Sequence, residues 1–330
     1  MIGASDMSGC ARLCASLAAL ALLLPASAAV AQDYPTRPVR VIATSSAGGT
    51  SDIFMRALAD ELHKSLGQPF IVENRPGGAF NIGARACAEA PPDGYTLCII
   101  PGEPLVFNQF LFKSLAFDPE NGFEPITQLF FITQTLVVSA ALNVKTLPEL
   151  IALAKQKPGE ISYAATGIGR LTHLTGELLQ LRAGIKLLLV PYSGGPNHAL
   201  NDIMGGRIPL IIEGYSGLAG AIQGGNLKPL AVASPQRLPN FPDLPTVAET
   251  LPGFKAMGWQ GLMAPVGTPD AIVHKVSEDL RKVISEPTLG AQLAGRGSYP
   301  VAMSPTEVTA FVQEQQRQWS PLLQQIAAKP

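Results

Sequence analysis

No charge of one sign dominates this chain. Lys and Arg together number 24 and Asp and Glu 25, for a net charge of −1, and no basic face or run of like charge breaks that balance. The footprint of a nucleic-acid binder, or of a protein held on an anionic membrane, is therefore missing. Cysteine and histidine are scarce, four of each in 330 residues, without the paired spacing of a zinc site. No metal and no cofactor is expected. Beyond the first thirty residues no apolar run approaches the length of a membrane span, and no repeat of solenoid period occurs. The length leaves room for two α/β lobes, each with its own core.

Residues 1–31 stand apart. Arg12 precedes an apolar stretch from Leu13 to Leu24, and small residues follow up to Ala29-Val30-Ala31. This is the pattern of a secretory signal peptide cleaved before Gln32. Cys10 and Cys14 lie before or at the start of the apolar stretch, where a lipid-anchored cysteine would come after it. The mature protein is thus expected to be exported without a lipid anchor. Cys87 and Cys98 remain. An exported protein permits a disulfide, but Cys87 falls in a helical pattern and Cys98 in a strand pattern, and two buried free thiols are the preferred reading.

The stretch around which the chain is organised is VRVIATSSAGGTSDIFMRALADEL, residues 39–62. Val39, Val41 and Ala43 read as a short buried strand. Small residues follow, Thr44, Ser45, Ser46, Ala47, Gly48, Gly49, Thr50 and Ser51. A helix then begins at Asp52, with Ile53, Phe54, Ala57, Leu58 and Leu62 assigned to its apolar face. The first turn of a helix carries N–H groups without internal partners, and its dipole favours negative charge. Glycine and serine let an anion approach those groups. The stretch reads either as a carboxylate-binding loop or as a tight βα turn capped by Ser51 or Asp52.

Strands and helices alternate along the rest of the chain, which implies parallel sheets. The spacing predicts strands at 70–72 and in DGYTLCIIP, a helix over 81–90, and a helix over 108–115. A long β-prone run, 127–141, is long enough for two strands. Thr146 and Glu149 form a capping-box pattern. ISYAAT is a strand, GIGR a loop and LTHLTGELLQLRAG a helix with Leu171, Leu174, Leu178 and Leu181 on one face. Further strands follow in LLLVPY, IPLIIEG, LKPLAVAS and WQGLMAP. Two helices close the chain, one opened by Thr268-Pro269-Asp270, the other by a capping box at Ser304 and Glu307 and ending near Trp319.

Several motifs fall in a shared order: DYPTRPVRVI, GGTSD, ENRPGGAFNIGA, PPDGYTL, GxGxxTHLTGELL, VPYxGG, GGRI, LPTVAET and WxGLxAPxGTP. Together they cover essentially the whole mature chain. On them the sequence resembles the extracytoplasmic substrate-binding proteins of tripartite tricarboxylate transporters, also called Bug receptors. The resemblance implies an α/β, two-lobe periplasmic binding protein of the type II, Venus-flytrap kind, with a parallel-rich sheet in each lobe. It implies a small carboxylate in the cleft and a membrane transporter of large and small subunits as partner. A monomer without enzymatic activity is expected. Lobe 1 is placed at 32–132 plus 255–330 and lobe 2 at 133–254, with crossings near 127–141 and Trp259.

The implied binding loops map to Ser45–Asp52 and to Thr166–His173, which includes Gly167 and Gly169. The second loop also precedes a helix, so the anion argument applies twice. The chain departs from the family pattern here. The first loop usually reads P-F-P-P-G-G, a glycine usually stands at Phe80, a serine at Arg170 and an aspartate at Glu213. Arg170 reads as a solvated loop residue or as a bidentate partner for a second carboxylate. Phe80 offers a lobe contact or a wall for a ring. His173 reads as a ligand hydrogen-bonder or as the local partner of Glu177, and Glu213 as a ligand contact or a cap for Ser216 and Gly217. The Tyr192–Gly195 turn reads as a helix entry. Gly214-Tyr215-Ser216-Gly217-Leu218 resembles a nucleophile elbow but lacks its last glycine. Gly167-Ile168-Gly169 lacks the third glycine of a dinucleotide fingerprint. A secreted serine hydrolase acting through Ser216, or a ligand-sensing partner of a membrane kinase, are the alternative functions.

Overall fold

One strand, β4 (Phe123–Ser139), runs through both halves of the molecule. In this computed structural model, residues 34–48, 50–192, 196–295 and 297–328 are described. The leader pattern at 1–31 lies outside them. The remaining elements in the first half are β1 (Val39–Ala43), α1 (Thr50–Leu66), β2 (Phe70–Asn74), α2 (Asn81–Ala88), β3 (Thr96–Pro101) and the short α3 (Asn108–Leu111). After β4 come α4 (Leu147–Gln156), β5 (Ser162–Ala165), α5 (Leu171–Ala183), β6 (Leu188–Pro191), α6 (Pro196–Met204), β7 (Leu210–Gly214), α7 (Tyr215–Gln223) and β8 (Leu227–Val232). The chain returns through β9 (Met257–Pro265) to α8 (Asp270–Ile284), α9 (Pro287–Ala294), β10 (Ser298–Pro300) and α10 (Pro305–Ala327).

The strands form a path β2-β1-β3-β9-β4-β7-β5-β6. β2, β1 and β3 are parallel at one end, and β7, β5 and β6 are parallel at the other. The antiparallel β9 and β4 join them. The first part of β4 pairs with β9 and β10, the last part with β7 and β8. The long β-prone run is therefore one strand shared by both halves, where the sequence allowed for two. Its almost unbroken burial explains why the pattern shows no interruption.

The α1 stripe sits one step from the sequence expectation. Phe54, Met55, Leu58, Ala59 and Leu62 are buried, whereas Ile53 and Ala57 face outward. In α5, Leu179 is buried and Leu181 is exposed. α8 begins at Asp270 without a side-chain cap, because Pro269, which has no side-chain acceptor, holds the N-cap position in place of Thr268; the Thr268 hydroxyl donates to the Pro265 carbonyl, 2.7 Å away. Three helices and a short strand close the chain rather than two helices. α9 is rich in small residues and β10 has three residues, so neither carries a readable period. α10 continues past Trp319 and through Pro321, carried by Leu322 and Leu323 packed into the core.

Cys87 and Cys98 form a disulfide, against the free-thiol reading. α2 lies on β3, which places the two Cα atoms 6.1 Å apart, within the range a disulfide spans. Closing so short a loop is worth about 3 kcal/mol in the chain-entropy account.

Candidate functional site

The chain leaves β1 at its carboxyl end and turns through Thr44–Gly48 into α1. Asp52, in the first turn of α1, is buried and folds back on this loop. Its Oδ2 accepts from the Gly48 N–H at 2.9 Å. Its Oδ1 accepts from Arg56 Nε at 3.0 Å and from Asn74 Nδ2 at 2.9 Å. Asn74, at the end of β2, also donates to the Ser45 carbonyl at 3.1 Å. Burial alone would raise the Asp52 carboxyl; the bonds from Arg56, Gly48 and Asn74 outweigh it and hold the group below its ordinary value. The positive end of α1 is thus met by a carboxylate of the same helix. Ser46, Ala47 and Gly48 form an exposed rim, Ser51 is buried, and the buried hydroxyl of Ser45 has no partner among the described residues. Gly49 and the side chain of Thr50 lie outside the described residues.

The second loop, between β5 and α5, is built with neutral groups. The Thr166 N–H donates to Thr172 Oγ1 at 3.0 Å, and the two hydroxyls lie 3.1 Å apart. The Gly169 N–H donates to His173 Nδ1 at 3.1 Å. Nδ1 is therefore an acceptor, and Nε2 is 3.9 Å from Glu177 Oε1. His173 is buried and turned onto its own loop. Gly169 adopts φ of +78°, and a Cβ there would stand 3.1 Å from Leu111 of α3, so the turn presses against the first half. Arg170 occupies the N-cap position of α5 without capping the helix.

Arg170 instead reaches across. Its guanidinium carbon stands 3.9 Å from the centre of the Phe80 ring, a cation–π contact between the halves. Phe80 and Ala79 both have left-handed backbones, φ 72° and 50°, which cost on the order of 1–3 kcal/mol each outside glycine. Asn108 holds this turn, donating to the Ala79 carbonyl at 3.0 Å and to Asn81 Oδ1 at 2.6 Å. The Phe80 turn adjoins the first loop, since a Cβ at Gly83 of α2 would meet Thr44 at 2.7 Å.

Glu213, at the carboxyl end of β7, completes the cluster. Its Oε1 accepts from the Gly214 N–H at 2.8 Å, and Oε2 is buried, with the Thr166 hydroxyl and Arg170 beside the carboxyl. Burial pushes this carboxyl up; the Gly214 N–H, Arg170 and Thr166 pull the other way, and Glu103 repels it. Thr135 stands directly opposite Glu213 on β4, and its buried hydroxyl has no partner among the described residues. Buried polar atoms are nearly always paired; among the described residues Ser45 Oγ and Thr135 Oγ1 depart from that.

Of the residues singled out by sequence, Phe80, Thr166, Arg170 and Glu213 come together. Gly167 and Gly169 shape the second loop by positive φ. Asp52 and His173 brace their own loops. Residues 193–195 of the Tyr192–Gly195 turn lie outside the described residues. Asn74, Asn108, Thr135 and Glu103 escaped the sequence reading. Each acts through a partner brought close only by the fold, although Asn74 at a strand end carried a weak signal.

The sequence matches the family model of the tripartite tricarboxylate transporter family receptor over residues 54–328. It is 33% identical over 302 residues to Protein BugT of Bordetella pertussis, covering 91% of this chain and 92% of that one. Among solved structures, R. palustris Rpa4515 with adipate superimposes with a TM-score of 0.82 at 30% identity, covering 89% of this chain and 98% of that one. MatC from Rhodopseudomonas palustris with bound malate gives a TM-score of 0.77 at 28% identity, covering 88% and 100%.

Proposed function

Because the chain belongs to the tripartite tricarboxylate transporter receptor family, we propose that it captures a small dicarboxylate between the loops after β1 and β5. It then delivers the ligand, as a monomer in the periplasm, to a membrane transporter of large and small subunits. Lobe 1 comprises 32–132 plus 255–330 and lobe 2 comprises 133–254, hinged on β4 and β9. The adipate and malate held by the two solved relatives support a dicarboxylate ligand. The observation that carries the reading is Arg170 at the head of α5, stacked on Phe80. It sets a fixed cation beside a helix N-terminus that has no carboxylate of its own. One ligand carboxylate meets Arg170 and the N–H groups of the second loop. The other meets the first loop at Ser45. Glu213, its proton favoured by burial, donates to a ligand oxygen.

Thermal unfolding of the mature protein against malate, adipate, glucose and magnesium tests this. A ligand that binds only the folded state raises its melting temperature. The dicarboxylates are expected to do so, and stabilisation by glucose or magnesium alone would refute the reading. Uptake of the stabilising dicarboxylate should also fall in cells lacking this chain, and unchanged uptake would refute the delivery step.

A further inference from the structure

A cavity of about 460 Å³ lies behind the crossing strands. It shares no residue with the cleft cluster. One wall comes from β4, β9 and the 234–239 segment, the other from Tyr299 and α10. Phe131, Met257, Phe311 and Trp319 give it an apolar lining. The Phe131 and Phe311 rings already meet edge to face, their centres 5.6 Å apart, and Phe311 meets Trp259 likewise at 5.3 Å. A further ring in the cavity would extend this arrangement.

Three polar atoms among the lining residues are buried and have no partner among the described residues: Thr133 Oγ1, Tyr299 Oη and Gln318 Oε1. Thr133 has no exposed surface at all. Leaving such groups unmatched costs about 1–3 kcal/mol each. The space is partly open to solvent, and its apolar walls offer water few partners. Lys255 also lines the cavity and forms no ion pair among the described residues. Two hydroxyls and an ammonium are donors for a carboxylate, and the Gln318 oxygen asks for a donor in return. The size lies within the range of small-molecule sites.

We propose that this cavity is a second ligand site, and that its ligand is a single aromatic ring carrying a carboxylate and a hydroxyl. The ring lies against Phe131, Phe311 and Trp319. The carboxylate meets Lys255 and the hydroxyls of Thr133 and Tyr299. The ligand hydroxyl donates to Gln318. Because the walls come from both sides of the crossing strands, the occupant holds the two halves in one relative arrangement.

The probe is 4-hydroxybenzoate, titrated into the mature protein by calorimetry and by tryptophan fluorescence. Trp319 lines the cavity, and the chain's other tryptophan, Trp259, does not. Saturable one-to-one binding with a change in emission is expected. Thr133→Val should weaken it about three- to tenfold, Lys255→Met by at least as much, and Trp319→Phe should remove most of the fluorescence change. Arg170→Ala should leave the affinity unchanged. Absence of saturable binding, with the cavity filled by water only, would overturn the proposal. So would binding lost in Arg170→Ala but unaltered in Thr133→Val and Lys255→Met, which would place the probe in the cleft. The titration needs no cleft ligand, so it succeeds or fails apart from the dicarboxylate reading.

Discussion

Ahead of α1 the loop N–H of Gly48 faces Asp52, whereas ahead of α5 the N–H groups of Thr166 and Gly169 face a hydroxyl and a neutral ring nitrogen. Both loops leave the carboxyl end of a parallel strand and enter a helix, so both inherit the same partial positive charge. In the first, a buried carboxylate already answers it, tied to Arg56 and Asn74. In the second the carboxyl beside Thr166 and Arg170 is that of Glu213, whose burial favours its protonated form, and Arg170 adds a positive charge at the helix head. In the proposed reading the contrast separates two jobs: the first loop is a preformed seat offering a hydroxyl and the second is the electrostatic attractor, an asymmetry that favours a ligand whose two ends are not treated alike.

The scaffold of the first loop is also covalent, since the Cys87–Cys98 bridge ties to β3 the helix that follows Phe80. Cys87→Ala with Cys98→Ala should lower unfolding stability by about 3 kcal/mol, read by denaturant titration, and a reducing agent should reproduce the loss in the parent. A loss below about 1 kcal/mol would mean that packing alone holds the Phe80 turn.

Next in size, Asp52→Ala should cost about 2 kcal/mol through the lost charged hydrogen bonds. Its pH dependence is the informative part. A carboxyl held below its ordinary value contributes stability that is complete above the unfolded-state value. That contribution is lost as pH falls through the folded one. The gap between parent and variant should therefore close on acidification below pH ~4. Thr172→Val, the matching change in the second loop, should cost about 1 kcal/mol at every pH. Equal pH dependence in the two variants would erase the distinction between the loops.

The smallest effect is at Glu213. Its carboxyl is raised by burial, so the folded state holds a proton that the unfolded state releases. Stability then falls as pH rises from the unfolded value through the folded one. Glu213→Gln should be somewhat more stable than the parent near neutral pH and equal to it below pH ~4. Thermal melts from pH 4 to 8 that show a constant difference would contradict this.

The elements were legible where a local period or punctuation existed. β1, β3 and the α8 stripe are apolar runs bounded by glycine, proline or polar turns. The capping box at Ser304 and Glu307 forms with both reciprocal bonds. At Thr146 the pattern is half realised. Thr146 caps Glu149, but the Glu149 carboxylate accepts from the Lys145 N–H one residue earlier. What the sequence hid depends on distance along the chain. Asn108 braces a turn 29 residues away, and Thr135 meets Glu213 only through the β4–β7 register. The left-handed backbone of Phe80 has no local signature, because the residue type argues against it. Arg170 and Phe80 were each legible as loop residues at odds with the family pattern, but their mutual contact, guanidinium over ring, needs the fold.

The central claim is that the second loop supplies the attractor and that Arg170 holds the ligand carboxylate there. Calorimetry of one dicarboxylate with the parent, Arg170→Ala and Ser45→Ala tests it most directly. The account predicts that Arg170→Ala binds it about ten- to a hundredfold more weakly, the equivalent of about 1.5–3 kcal/mol, and Ser45→Ala less than about tenfold more weakly. A larger loss in Ser45→Ala than in Arg170→Ala, or no loss in Arg170→Ala, would contradict it.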